Sequence, residues 1–222
     1  MLLNVPNILS SDEVDAIVTT LNEAGSSIWQ DGSSSAYGMA KKVKKNSQCD
    51  PKHPVVRDIL EKVETKLLND TAFIAAARPD RFSRLMINAY RPGMSYGRHL
   101  DASYIGDIRT DISVTLFLSS PTAYEGGDLV METPFCEMSI KGEKGGVFLY
   151  PSTSFHRVEE VTSGTRLAIV GWLKSRIKQP HHREILFDLE RTLHKLADDT
   201  SQQAHYMNLL GVKNRLLREW GE

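Results

Sequence analysis

The sequence predicts an α+β protein with a mainly β core, a sandwich or jelly roll flanked by N-terminal and C-terminal helices. Three observations predict it. Helical periodicity recurs before residue 80, short runs of β-branched and aromatic residues punctuated by Gly and Pro fill 81–174, and helical periodicity returns after Pro180. Many short strands with tight connections are characteristic of layered antiparallel architectures. The 222 residues, 41% hydrophobic and 25% charged, are enough to bury such a core. The expected organisation is an N-terminal helical region packing on the core (1–80), a β domain (81–176) and a C-terminal helical extension (177–222).

In chain order, Ser10-Ser11-Asp12-Glu13 reads as a capping box opening a helix with Val14, Ile17, Val18 and Leu21 on one face. The Ser-, Gly- and Lys-rich stretch Gly25–Asp50 reads as loop or short strands. A second helix starts near Pro54, where a missing N–H is harmless, and turns Val56, Ile59, Leu60, Val63 and Leu67 inward. Strands are expected at Phe82–Tyr90, Ile112–Ser119, Asp128–Glu132, Glu137–Ile140, Gly146–Tyr150, Phe155–Val161 and Arg166–Lys174. Breaks at Arg91-Pro92-Gly93, Gly126-Gly127 and Gly142–Gly146 separate several of them. Beyond Pro180, Ile185, Leu189, Leu193 and Leu196 form one apolar stripe and Tyr206, Leu209, Leu210 and Leu217 another. Those stripes suit packing on the protein's own core or in a homo-oligomer.

A net charge of −1 argues against a nucleic-acid or anionic-lipid partner. The Lys41-Lys42-Val43-Lys44-Lys45 run reads as a solvated face, or as a flap over a site in the barrel. Cys49 and Cys136 make no disulfide framework, which suits a reducing compartment. No signal peptide or membrane span is visible, so the expected location is the cytoplasm.

Chemistry concentrates in Asn88–Asp101. In an extended strand His99 and Asp101 point to the same face while Leu100 points away, so an imidazole and a carboxylate converge. His156 is the obvious distant third ligand. Two His and one carboxylate on one side of a metal leave other positions open, the pattern of non-haem Fe(II) oxygenases. Arg166 adds a second feature. A hairpin turning through Thr162-Ser163-Gly164, with Gly164 left-handed, puts Arg166 on the face of His156, whereas a two-residue loop reverses it. An unpaired buried charge costs roughly 3–5 kcal/mol, a large share of the ~5–15 kcal/mol that holds a domain together. A dicarboxylate that chelates the metal at one end and pairs with the guanidinium at the other removes that cost, and 2-oxoglutarate has this shape.

The order Tyr90, His99-x-Asp101, Glu125-Gly-Gly-Asp-Leu129, His156, Arg166, Gly171-Trp172 resembles the Fe(II)/2-oxoglutarate dioxygenases of the prolyl-hydroxylase class. It is most similar to the bacterial PKHD-type hydroxylases, a group associated with iron uptake. The resemblance runs from about Arg81 to Lys174. It implies a double-stranded β-helix core, with His99, Asp101 and His156 as catalytic ligands of Fe(II). It also implies Arg166 as partner of the distal carboxylate of 2-oxoglutarate and Tyr90 as a second donor to it. Collagen-type enzymes generally use Lys where this chain has Arg166, which favours the bacterial branch. The implied reaction consumes 2-oxoglutarate and O2, hydroxylates a peptide, an amino acid or a siderophore-like small molecule, and releases succinate and CO2. Ascorbate as reductant is implied in the same way. A cupin-like iron-binding sensor without turnover, and a Zn or Mn isomerase or hydrolase, are the competing readings; neither needs a cation on the metal-facing wall. Specificity is expected in Ser33–Asn46, Ala102–Asp111 and Thr133–Cys136. Tyr96 is a candidate for contact with the metal pocket or the substrate, and Trp172 reads as filling the barrel ahead of lining the pocket. His181-His182, just after a Pro, reads as a solvent-exposed helix start, with metal binding as the alternative, and His53, His194 and His205 have no partners at a telling spacing.

Overall fold

The computed structural model describes all residues, 1–222. Strand β1 (Leu3–Val5) leads to helix α1 (Ser11–Glu23), whose capping box is formed: the Ser10 hydroxyl accepts from the Glu13 amide, and the Glu13 carboxylate from the Ser10 amide. The stretch read as loop or short strands contains β2 (Trp29–Asp31), the short helix α2 (Gly38–Lys42), β3 (Lys44–Lys45) and β4 (Ser47–Cys49). Helix α3 (Pro54–Asn69) begins on its proline and buries Val56, Ile59, Val63 and Leu67. A further helix, α4 (Thr71–Ala77), was not anticipated; Asp70 caps it by accepting from the Phe73 amide.

Twelve strands follow. They are β5 (Pro79–Tyr90), β6 (Ser95–His99), β7 (Tyr104–Ile105), β8 (Ile108–Arg109), β9 (Ile112–Phe117), β10 (Tyr124–Gly126), β11 (Leu129–Glu132), β12 (Glu137–Ile140), β13 (Val147–Pro151), β14 (His156–Val158), β15 (Val161–Gly164) and β16 (Arg166–Ser175). Helices α5 (Pro180–Leu196) and α6 (Gln203–Trp220) end the chain. A seven-stranded sheet runs β1-β13-β9-β16-β5-β4-β2, and a five-stranded sheet runs β12-β11-β14-β6-β3. Every pairing is antiparallel, and the two sheets form the jelly roll that the sequence predicts. Residues before Pro54 supply four of those strands, so the N-terminal segment is woven into both sheets.

The large sheet has two different faces because side chains alternate along a strand. On β5, Leu85 and Ile87 join one apolar cluster with Val14 and Leu21 of α1, Val63 and Leu67 of α3 and Phe73 of α4. The alternate residues Arg84, Met86, Asn88 and Tyr90 line a cavity between the sheets. A second, smaller cluster, with Phe117, Leu129, Met131 and Phe148, fills the rest of that space.

One expected element is absent. The segments around His156 and Arg166 do not form a hairpin: β14 pairs with β6 and β11 in the small sheet, whereas β16 lies between β5 and β9 in the large one. Gly164 is left-handed, at φ +75°, as expected. Its neighbours, however, form β15, which pairs with β10 and carries the chain from one sheet to the other. His156 and Arg166 share a cavity because they project from facing sheets. The C-terminal stripe also differs. Ile185 is exposed, and α5 buries Arg183, Leu186 and Leu193. Glu190 pairs with Arg78 (2.7 Å) and Lys213 (3.1 Å), and the His182 ring stacks on Trp220 at 3.9 Å. Held from two sides, α5 has two contact faces where the sequence reading assigned one. No helix is long and apolar enough to cross a membrane.

A Cβ at position 164 would run into the Ala123 carbonyl oxygen in a backbone conformation that L side chains avoid. Gly164→Ala is expected to lower stability by roughly 1–3 kcal/mol, read as a lower urea midpoint.

Candidate active site

His99 closes β6, His156 opens β14, and the two residues sit directly opposite each other in the small sheet, ring centroids 4.2 Å apart. The strand stops at His99. Leu100 then swings towards solvent, and the Asp101 carboxylate returns beneath the two rings. Its Oδ1 lies 3.9 Å from His99 Nε2 and its Oδ2 3.7 Å from His156 Nε2. Asp101 therefore reaches the face expected of it from just beyond the strand rather than on it.

Hydrogen bonds aim these donors. His99 Nδ1 lies 2.8 Å from the Gly97 carbonyl and His156 Nδ1 3.0 Å from the Ser154 carbonyl. A carbonyl only accepts, so each Nδ1 carries the proton and each Nε2 presents its lone pair towards Asp101. The Ser113 hydroxyl, on β9 of the opposite sheet, donates to Asp101 Oδ2 (2.6 Å) and contacts Ser152 (2.8 Å). Tyr96 stacks on His99 at 3.6 Å. Burial, reinforced by His156, pushes the His99 imidazole down to about 4, so it is neutral near pH 7. The Tyr150 hydroxyl lies 3.4 Å from His156 Nε2, and burial holds its pKa well above the usual phenol value.

The donor set fits a divalent metal. One nitrogen or oxygen from each of His99, Asp101 and His156 lies within 4.8 Å of the others. Ligand bonds of about 2 Å let one ion span such a group after small rotations. Three ligands on one side leave coordination positions for other molecules.

Arg166 opens β16 across from Tyr90 and is 1% exposed. Its Nε and Nη1 have no partner, and its guanidinium lies 5.4 Å from the Tyr90 ring and 5.8 Å from the Phe117 ring. Burial, opposed by Arg166, pushes Tyr90 up to about 12, which leaves its hydroxyl protonated and able to donate. The five residues expected at the site thus line one cavity of about 540 Å³, within the usual size range of small-molecule sites. Tyr96 and Trp172 line it too.

Several neighbours escaped the sequence reading. Tyr124 has a buried hydroxyl without a partner in the field of Arg166. Ser113 and Tyr150 gave no signal, because only tertiary pairing brings them to the ligands. Arg84 was readable from period-two alternation with Met86, Asn88 and Tyr90. Lys44, in the run read as a solvated face or as a flap over the site, is 8% exposed and lines the cavity, donating to Ser35 Oγ at 2.8 Å. The short strand β3 adds to β6 and turns this one lysine of the run inward, while Lys41, Lys42 and Lys45 stay exposed. None of His53, His181, His182, His194 and His205 lines the cavity.

Comparison with known proteins agrees with this geometry. Residues 85–174 match the model of the 2OG-Fe(II) oxygenase superfamily. The chain is 38% identical to a PKHD-type hydroxylase of Shewanella sp. (strain MR-7) and 39% identical to one of Picosynechococcus sp., each match covering 100% of both proteins. Among solved structures, a Pseudomonas putida prolyl-4-hydroxylase superposes with a TM-score of 0.58 at 20% identity, covering 79% of this chain and 92% of that one. A Trichoplax adhaerens prolyl hydroxylase in complex with a peptide fragment gives 0.57 at 18% identity, covering 78% and 82%. At such identity the structural likeness speaks for the fold.

Asp101→Ala removes the only charged donor, and Ser113→Ala frees that carboxylate to rotate. Fe(II) affinity, measured by competition with a chromogenic chelator, is expected to fall by about 10–100-fold in Ser113→Ala and further in Asp101→Ala. Normal affinity in the second variant would remove Asp101 from the ligand set.

Proposed function

We propose, for a chain that belongs to the PKHD-type hydroxylases of the 2OG-Fe(II) oxygenase superfamily, that His99, Asp101 and His156 hold Fe(II) and that Arg166, aided by Tyr90, holds the distal carboxylate of 2-oxoglutarate. The enzyme is a 2-oxoglutarate-dependent hydroxylase. One observation carries the residue assignment. A guanidinium that is 1% exposed, with no carboxylate near it, faces the same cavity as two imidazoles and a carboxylate whose donor atoms converge. A cation left in that state is costly unless an anion joins it. A keto acid with a second carboxylate satisfies both ends of the cavity at once.

When bound, Fe(II) with 2-oxoglutarate and O2 supplies the oxidising power that converts a C–H bond to C–OH, with succinate and CO2 released. The protein's own part is positioning. The Gly97 and Ser154 carbonyls fix the imidazole tautomers, Ser113 holds the carboxylate, and Arg166 sets the direction from which the dicarboxylate approaches. Tyr96 and Tyr150 pack over the imidazoles and keep bulk water from them. Residues 81–176 carry the metal and 2-oxoglutarate groups in our reading, while 1–80 completes both sheets and part of the cavity wall and 177–222 packs outside them. The molecule hydroxylated is a peptide, an amino acid or a siderophore-like small molecule. The cavity volume supports that size class, and a siderophore-like substrate would tie the reaction to iron uptake.

The test is anaerobic addition of Fe(II) and 2-oxoglutarate to metal-free protein, followed by O2 with ascorbate as reductant. A visible charge-transfer band from the chelated keto acid, then succinate, is expected of the wild type. Arg166→Ala is expected to need at least about tenfold more 2-oxoglutarate for the same band, with Fe(II) affinity largely kept. Iron binding with neither band nor succinate would replace this reading with a metal-binding protein that does not turn over.

A further inference from the structure

Three polar groups of the cavity have no task in that chemistry. Lys44 is more than nine-tenths buried, and its one hydrogen bond goes to the neutral hydroxyl of Ser35. Arg84 lines the same cavity from β5, and neither cation enters an ion pair. Trp172, directly across from Arg84 on β16, has a buried indole N–H with no acceptor. Arg84 is six residues from Tyr90, the cross-strand partner of Arg166. At about 3.3 Å per residue, that is roughly 20 Å of strand, so Arg84 and Trp172 sit at the far end of the cavity from Arg166, and Lys44 lies within the field of Arg84.

We propose that Lys44 and Arg84, with the Trp172 indole N–H, recognise a carboxylate on the molecule that is hydroxylated, and that Tyr37 and Tyr104 flank its entry.

The proposal rests on the reading of Arg166 and the metal ligands given above, since that reading commits the other charged groups of the cavity. The anions whose fields reach Lys44 are Asp101 and Asp31. Asp101 is consumed by the metal. Asp31 is exposed and engaged by the Ser33 amide. With the metal in place, this end of the cavity holds two cations and a free N–H donor with no protein anion to answer them. Water solvates Arg84 at the rim, but Lys44 is shut away from it; burial pulls its ammonium down to about 8. A carboxylate restores the balance, and a neutral ligand does not. The rim fits a carboxylate carried on an apolar or aromatic body. Tyr37 is 83% exposed and Tyr104 60% exposed, and both border the cavity. Such large rings left open at a mouth are surfaces for a ligand to cover.

Anaerobic titration calorimetry on the Fe(II)- and 2-oxoglutarate-loaded protein tests this, with N-acetyl-phenylalanine, N-acetyl-leucine and their primary amides as probes. Each acid and its amide share a shape and differ in charge, and saturating 2-oxoglutarate blocks Arg166. At least one acid is expected to bind about tenfold or more tightly than its amide. Lys44→Met should abolish that preference and Arg84→Gln reduce it; Arg84 is exposed, so its variant folds even if Lys44→Met does not. The charge-transfer band should be unchanged in both. Equal binding of acid and amide, binding of neither, or a preference that survives both substitutions would overturn the proposal. So would a band that needs more 2-oxoglutarate in Lys44→Met, which would assign the lysine to the cosubstrate. A wild type without any band would refute the cosubstrate reading alone, because the acid-over-amide preference is read from heat.

Discussion

The ten-residue ladder of β16 is what the cavity depends on. β16 pairs with β5 from Arg166↔Tyr90 to Ser175↔Pro79 and with β9 along its other edge. Side chains alternate along each strand, so a slip of one residue would turn every one of them to the opposite face. Arg166 would leave the cavity for the apolar layer under the helices, and Leu167 would take its place. The register is enforced from the other side by Leu85, Ile87 and Ile169, which only the helix-covered face accepts. A polar interior at one face is thus specified by an apolar layer on the other.

That division explains how the molecule tolerates the groups it buries. Arg166, Lys44, Asn46 and Asn88 are all buried in the space between the sheets, and three of them have side-chain atoms without partners. Such groups oppose folding. The compensating burial lies elsewhere, in the 25-residue cluster that joins the large sheet to α1, α3 and α4. Stability and chemistry occupy opposite faces of one sheet.

Much of this was legible in the sequence. Seven of the strands between Phe82 and Lys174 (β5, β9, β11, β12, β13, β14 and β16) follow from runs of β-branched and aromatic residues, and the helix starts from Ser10 and Pro54, whereas the short β7, β8 and β10 do not. His99, Asp101, His156, Tyr90 and Arg166 were each singled out as residues, and all five line one cavity. The hairpin inference failed because sheet membership is non-local. Gly164 has the turn conformation that the sequence suggests, yet Tyr124–Gly126, far away in the chain, captures β15. Lys44 was legible only as part of a run that reads as a solvated face or as a flap over the site: nothing in Lys-Lys-Val-Lys-Lys says which lysine an edge pairing will turn inward. Ser113 was invisible because a serine on a strand has no signature until a carboxylate from the other sheet arrives beside it.

The pairing of β1 with β13 has a kinetic consequence. Leu3–Val5 lie against Val147–Leu149, so β1 has no partner until most of the jelly roll has been synthesised. β3 and β4 likewise wait for β6 and β5. Contacts this distant in sequence carry a large chain-closure entropy and slow the search for the native topology. The wall that carries Lys44 therefore closes only after β6 has been made, and β1 stays an unpaired edge, open to other nascent chains, for longer still.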